Sequence, residues 1–412
     1  MKTSIFRASL VITFIIFIFV TLAGCAGGTG QGKELIKKRD PLFSEKDVSP
    51  ELSESIVDFS TNLFYELYVE DKNQMISPYS IASVLSMALA GAGGETKEEL
   101  RNVLHTEHIS EEVLHDSHQA LIDIFMHSEP KVTTLVGNSV WTKEDVVFNE
   151  EFIQLLEEKY NAEAKQLSTA KEVNNWVKDK TAGKIESIVD EINPDTIMFL
   201  INAVYFLGEW SDPFPKEFTR DESFYPTSGE IVQVPMMYRK EHYSYEETEE
   251  YKTIRIPYGE ERYFMEVLLP AEDSSVEEIM KQFKDRLLEW KSPKELQHGL
   301  LALPKFGFDT DLQLGDVLQV LGITQAFDLN LADFTGITTD TPLFISEVKH
   351  KSFVEVNETG TEAAAVTSAE MAGSAEPIDS FEMIVDRPFL FRIVDGKTDV
   401  VLFLGHVADP SK

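Results

Sequence analysis

The chain has 412 residues, with 71 Asp+Glu against 37 Lys+Arg, a formal net charge of −34 and a single cysteine. Such acidity excludes a general nucleic-acid binder, which needs a basic face to displace counterions from phosphates, and disfavours electrostatic adhesion to anionic membranes. One cysteine excludes an intramolecular disulfide framework and any four-cysteine metal site.

The N-terminus reads as an export signal. Lys2 and Arg7 precede an apolar run from about Leu10 to Val20, and then comes Leu22-Ala23-Gly24-Cys25. The run is short for a membrane span. The four residues resemble a bacterial lipobox, which would make Cys25 a lipid-attachment point once residues 1–24 are removed. A plain export signal with an incidental cysteine, or an uncleaved anchor, fits the same residues. An acyl chain would tether the protein by burial alone, without basic residues. Residues 25–45 are expected to be a flexible tether and 46–412 a single domain.

Helical periodicity covers about 51–70, 77–90, 96–104 and 110–127. Thr96-Lys97-Glu98-Glu99 and Thr169-Ala170-Lys171-Glu172 read as capping boxes, Asn149 as a cap, and Gly183 as a helix stop. Gly91-Ala92-Gly93-Gly94 follows a helix rather than a strand, so it reads as a helix-ending turn and not a phosphate cradle. His105/His108 and His115/His118 have the spacing of two ligands on a helix face, but their acidic surroundings favour solvated surface histidines. Strand signals dominate later, over 132–142, 196–208, 231–238, 253–256, 263–269, 299–308, 343–356, 389–394 and 399–405, with helical stretches near 275–290 and 311–321. Early helices and late strands predict an α+β fold. The run 197–206 is apolar at every position but Asn202, as in a central buried strand. Phosphate-loop, HExxH and GxSxG motifs are absent from the sequence, and no cofactor or metal is expected.

Between Val356 and Pro388 lies a long segment without a regular apolar pattern. Segments of this length inside compact domains are usually functional or disordered. From Thr361, every other residue (Thr361, Ala363, Ala365, Thr367, Ala369, Met371, Gly373) is uncharged and mostly small, whereas Glu362 and Glu370 fall in the alternate set. Such segregation suits a strand that enters a sheet with one face buried. A flexible Ala/Ser/Glu loop or a helical turn fits the composition equally.

Several long motifs resemble the serpin family, over about residues 50–410. They are Asn73-Gln74-Met75-Ile76-Ser77-Pro78-Tyr79-Ser80-Ile81, Asn202-Ala203-Val204-Tyr205-Phe206-Leu207-Gly208-Glu209-Trp210, Leu303-Pro304-Lys305-Phe306, His350-Lys351, Glu355-Val356-Asn357-Glu358-Thr359-Gly360-Thr361-Glu362-Ala363-Ala364-Ala365 and Arg387-Pro388-Phe389. The resemblance implies three β-sheets, about nine helices and an exposed reactive-centre loop, here about 359–380, that baits a protease and inserts into the main sheet after cleavage. It implies a monomeric suicide inhibitor of serine proteases, with no catalytic residue of its own. A non-inhibitory serpin acting as a surface binding or chaperone protein is the alternative.

Residue roles carry over where the motifs match. The resemblance makes Gly360, Thr361, Glu362, Ala363, Ala364, Ala365, Val366 and Thr367 the hinge that enters first. The inward positions Thr361, Ala363, Ala365 and Thr367 lack the bulk or charge found in non-inhibitory relatives, and Val366 should face outward. Glu358 and Lys305 match a salt bridge at the top of the sheet beside Trp210. Ser77, Ser80, Asn202 and His350 match a polar cluster beneath the opening strands. Counting 16 residues from Glu358 places the scissile bond at Ser374-Ala375, with 14 more to Pro388. That bond suits an elastase- or subtilisin-like pocket, and cleavage elsewhere within 370–377 stays open. No Lys or Arg lies between Thr359 and Ile384, which excludes a trypsin-like target. A cysteine protease is a further candidate partner. The helix at 110–127 has Glu111, Glu112, Asp116 and Asp123 and no Lys or Arg, which argues against heparin binding.

Overall fold

Ser49 starts the first long helix, α1 (Pro50–Leu67). Its hydroxyl accepts the Leu52 N–H at 3.4 Å, and Pro50 supplies the fixed φ of a first helical residue. The computed structural model describes residues 38–282, 290, 292–361 and 380–412. Strand β1 (Gln74–Ile76) leads into α2 (Pro78–Gly91), which is buried almost all round, and then α3 (Gly94–Val103) and α4 (Glu111–His127). The glycine-rich stretch is the α2–α3 turn. At Gly91 a Cβ would lie 2.2 Å from Ile337 Cγ1. Thr96 does not cap: Gly93 is the N-cap of α3, and the Thr96 hydroxyl accepts the Asp333 N–H at 3.0 Å.

Strand β2 (Val132–Lys143) is followed by α5 (Glu150–Tyr160), whose cap Asn149 accepts the Glu151 N–H at 3.1 Å. Next come β3 (Glu163–Leu167) and α6 (Ala170–Lys180), capped by Thr169 and ended by Gly183 at φ +84°. The apolar run becomes β4 (Met198–Glu209). Strands β5 (Arg220–Phe224), β6 (Val232–Glu247), β7 (Tyr251–Tyr258) and β8 (Tyr263–Pro270) then precede α7 (Val276–Gln282). The strand expected at 299–308 is two, β9 (Leu296–Pro304) and β10 (Phe306–Gln313), broken at Lys305. After α8 (Gly315–Leu321) come β11 (Ile345–Asn357), the two-residue β12 (Gly360–Thr361), β13 (Phe381–Ile384), β14 (Phe389–Asp395) and β15 (Val401–Val407).

Among the described residues the strands form two hydrogen-bonded sheets, one of six in the order β10-β11-β12-β4-β2-β3 and one of nine. Three sheets were expected, and β6 accounts for the difference. Its residues Met236–Ser244 pair with β9, whereas Ser244–Glu247 pair with β7, so one long strand joins two smaller sheets. Among the described residues there are eight α-helices. Strand β4 is buried on both faces, as its sequence predicts. Phe199, Ile201 and Ala203 pack with Trp176 and Val177 of α6, while Met198, Leu200, Val204 and Phe206 join the main core. Among the described residues no helix is long and apolar enough to cross a membrane.

The expected tether is shorter than 25–45. Lys38 donates to Met126 O at 2.8 Å and to Val132 O at 2.5 Å, Arg39 pairs with Asp123, and the Leu42 and Phe43 N–H groups donate to Asp123 Oδ2 at 2.5 and 3.2 Å. These residues therefore form a strap across the C-terminal end of α4. Burial pushes the Lys38 ammonium down to about 8, against the opposing pull of Glu129. Residues 1–37, including the expected signal peptide and Cys25, lie outside the described residues.

Candidate functional site at the mouth of the six-stranded sheet

Strands β4 and β11 run parallel from Met198 and Ile345 as far as Tyr205 and Phe353. Beyond that point they diverge, and β12 fills the gap. Gly360 pairs with Asn357 on one side and Glu209 on the other, and Thr361 pairs with Val356 and Gly208. The chain reverses through 358–359 and starts back into its own sheet, antiparallel to both neighbours. Gly360 has φ +151°, and a Cβ there would lie 2.0 Å from Gly208 O, so only glycine passes this point. Thr361 is fully buried. Its hydroxyl lies 2.7 Å from that of Tyr258.

The motif residues expected at the top of the sheet come together around this gap. Trp210 stacks on Tyr258 with centroids 4.4 Å apart and planes at 14°, and its indole N–H donates to Asn357 O at 3.0 Å. Lys305 Nζ lies 3.0 Å from Glu358 Oε2, and Thr219 donates to Glu358 Oε1 at 3.0 Å. Burial alone would raise the Glu358 carboxyl. Its own backbone N–H, Lys305 and Thr219 outweigh that and hold it below the usual range. Tyr258 and Thr219 escape a sequence reading because each sits apart from the recognisable motifs.

Lower down, neighbouring strands present a row of polar side chains. His350 of β11 opposes Asn202 of β4, which opposes Asn138 of β2. The first turns of α2 lay Ser77, Ser80 and Ser83 over them at helical spacing. The Ser77 N–H donates to His350 Nε2 at 3.2 Å, so that nitrogen is the acceptor and Nδ1–H donates to Asn202 Oδ1 at 2.5 Å. Asn202 Nδ2 donates to Ser80 O at 3.2 Å, to Ser80 Oγ, and to Asn138 Oδ1 at 2.5 Å, while Asn138 Nδ2 donates to Ser83 Oγ at 3.1 Å. Burial pushes His350 down to about 3, so the ring is neutral. All four expected members, Ser77, Ser80, Asn202 and His350, are brought together. Asn138 and Ser83 complete the network and were not foreseen. The three-residue spacing of serines on α2 could have flagged Ser83, whereas the polar residues of β2 fall in adjacent pairs and do not single out Asn138.

His115 and His118, expected on the surface, are buried. Nδ1 of His115 lies 2.6 Å from Tyr160 OH and Nε2 of His118 lies 3.2 Å from Ser86 Oγ, because α5 packs its Tyr160 against that face of α4. Among the described residues, no group of three or more His, Cys, Asp or Glu is arranged to hold a metal. The hinge residues Glu362, Ala363, Ala364, Ala365, Val366 and Thr367 and the expected scissile pair Ser374 and Ala375 lie outside the described residues.

Comparison with known proteins points to one family. Residues 54–410 match the family model described as "Serpin (serine protease inhibitor)". Human neuroserpin is 32% identical over 376 residues, 87% of this chain and 91% of that protein. An uncharacterized serpin-like protein of Thermococcus kodakarensis is 32% identical over 377 residues, 86% of this chain and 85% of the other. Among solved structures, the thermophilic serpin tengpin in its native state superposes with a TM-score of 0.82 at 31% identity, covering 91% of this chain and 97% of that one. Human thyroxine-binding globulin gives a TM-score of 0.78 at 29% identity, covering 88% and 99%.

Proposed function

The chain belongs to the serpin family, and on that premise we propose that it is a suicide-substrate inhibitor of serine endopeptidases, baited by the segment between Thr359 and Ser380. The observation that carries this reading is β12, a two-residue start of a strand already seated between β4 and β11. The residues that would follow Thr361 inward are Ala363, Ala365 and Thr367, small and uncharged.

In this mechanism the protease's serine attacks the bait carbonyl and forms an ester with the residue on its N-terminal side, releasing the amine of the next residue. Cleavage frees the loop, which continues the strand that β12 begins. About 15 residues at roughly 3.3 Å each carry the bound protease some 50 Å. The β4–β11 pairs from Ile345/Met198 to Phe353/Tyr205 must part, and the His350–Asn202 hydrogen bond with them. Dragging distorts the protease's active site, where an error of about 1 Å costs on the order of 100-fold in rate, so the ester outlives its normal hydrolysis. The energy comes from a native sheet left one strand short, a kinetic form of stability.

The bait bond is read as Ser374-Ala375, for an elastase- or subtilisin-like enzyme. Export and a lipid on Cys25 would hold the inhibitor at the outer face of a membrane. A panel of elastase-, subtilisin- and trypsin-like proteases tests the reading. Stoichiometric loss of activity is expected for the first two classes, with a C-terminal fragment whose mass begins at Ala375. Turnover of the chain by every enzyme without loss of activity would refute it.

A further inference from the structure

The turn after α1, the end of β5, the β8–α7 connection and the approach to β14 enclose a cavity of about 290 Å³, small for an organic ligand but ample for a short-chain amine. No residue of the loop seat or of the His350 network lines it. Tyr68 and Tyr225 give it aromatic surface, and Pro270, Val276 and Pro388 give it aliphatic surface. Its walls are tied together. Arg387 donates from Nε and Nη2 to Pro270 O at 3.1 and 2.8 Å, and the Tyr225 N–H donates to Asp386 O at 2.8 Å.

The charge left unbalanced on these walls is negative. Glu70 and Glu272 line the cavity, and among the described residues neither carboxylate has an ion-pair partner. Arg387, the one guanidinium in the lining, is already offset by Asp386 Oδ1 at 2.8 Å. Burial first, and then Glu70 and Glu277, push the Tyr68 phenol up, so two carboxylates act on this ring. Its hydroxyl is buried without a hydrogen-bond partner, and an N–H donor would supply one. A cation beside carboxylates and over aromatic rings gains from both, and a chain of net charge −34 draws cations toward it.

We propose that this cavity binds a primary alkylammonium, carried by a free diamine or by a lysine side chain, with its methylene stem on Tyr225, Pro270 and Pro388 and its charged end at Glu70 and Glu272. Both carboxylates are exposed, so the ammonium keeps part of its hydration while the stem is buried, as lysine side chains do on protein surfaces. An anionic ligand would be repelled by Glu70 and Glu272, and a neutral one would gain nothing from them.

Calorimetric titration of the full chain at low salt with diaminobutane and, separately, with Nα-acetyl-lysine amide tests the site. Saturable binding of one amine per chain is expected, with butanol silent. Glu70→Gln and Glu272→Gln should each weaken binding about fivefold or more, and Tyr225→Leu severalfold. All three residues are exposed, so the variants fold. Glu249→Gln should leave binding unchanged, because Glu249 sits on the β6–β7 hairpin beside the β8–α7 connection but does not line the cavity. Binding of the diamine alone supports a free amine as the ligand, and binding of both probes supports a lysine side chain. Absence of saturable binding, or an equal loss in Glu249→Gln, overturns the proposal, since the latter would mean diffuse attraction to an acidic surface.

Discussion

The hydroxyls of Thr361 and Tyr258 meet at 2.7 Å beneath the stacked ring of Trp210, and this contact seats the first residues of the loop between β4 and β11. A buried pair of hydroxyls that satisfy each other is worth about 1 kcal/mol net, enough to bias a hinge without locking it.

Thr361→Arg should convert the proposed inhibitor into a substrate. A guanidinium at this fully buried position, where the Thr361 hydroxyl now meets Tyr258, would be stripped of water, so the cleaved loop could not lead into the sheet. The variant should still fold and be cleaved by an elastase-like protease while leaving that enzyme active. An undiminished yield of covalent complex would count against insertion.

Gly360→Ala should unseat β12 before any protease arrives. The new Cβ would collide with Gly208 O at 2.0 Å, and alanine resists φ +151°. Amide exchange at Gly208 and Thr361, and at Trp210, whose N–H donates to Thr359 O at 3.0 Å, should accelerate at least tenfold. Unchanged protection there would mean that the hinge does not depend on this glycine.

Acidification should weaken the native state through its buried histidines. Burial lowers His350 and His118 to about 3 and His115 and His406 to about 4, from an ordinary 6.5. Each is neutral when folded and binds a proton on unfolding below 6.5, so stability rises with pH between those limits and falls as pH drops through them. From pH 6.5 to 5 the loss is about 2 kcal/mol per histidine. Urea midpoints of the uncleaved chain at pH 7 and pH 5 measure it, and a flat profile would contradict the burial of these rings.

Asp123→Ala should release the N-terminal strap. The carboxylate pairs with Arg39 and accepts the Leu42 and Phe43 N–H groups, so its loss should cost about 1–3 kcal/mol. A lower urea midpoint is expected, together with faster amide exchange at Leu42 and Phe43. No change in either would show that the strap contributes nothing to the native fold.

The parts of the fold legible in the sequence are those with a strong period. The run at 197–206 announced a central strand, and its alternate residues do feed two separate packed clusters. Strands β3 and β5 were missed because Glu163-Ala164-Lys165-Gln166-Leu167 and Arg220-Asp221-Glu222-Ser223-Phe224 are charged, short and buried only at one end. The top of the sheet and the His350 network were legible only through the family motifs, since their members come from distant segments. Asn138 and Tyr258 stayed hidden because register, not local pattern, brings them to the site. Thr96, His115 and His118 were misjudged for the same reason: tertiary partners Asp333, Tyr160 and Ser86 decide their roles.

The most direct test of loop insertion is to mix the uncleaved chain with an elastase-like serine protease and separate the products on a denaturing gel. The mechanism predicts a covalent band at the summed mass of protease and inhibitor, lost in Thr361→Arg. Only cleaved chain beside fully active protease would contradict it.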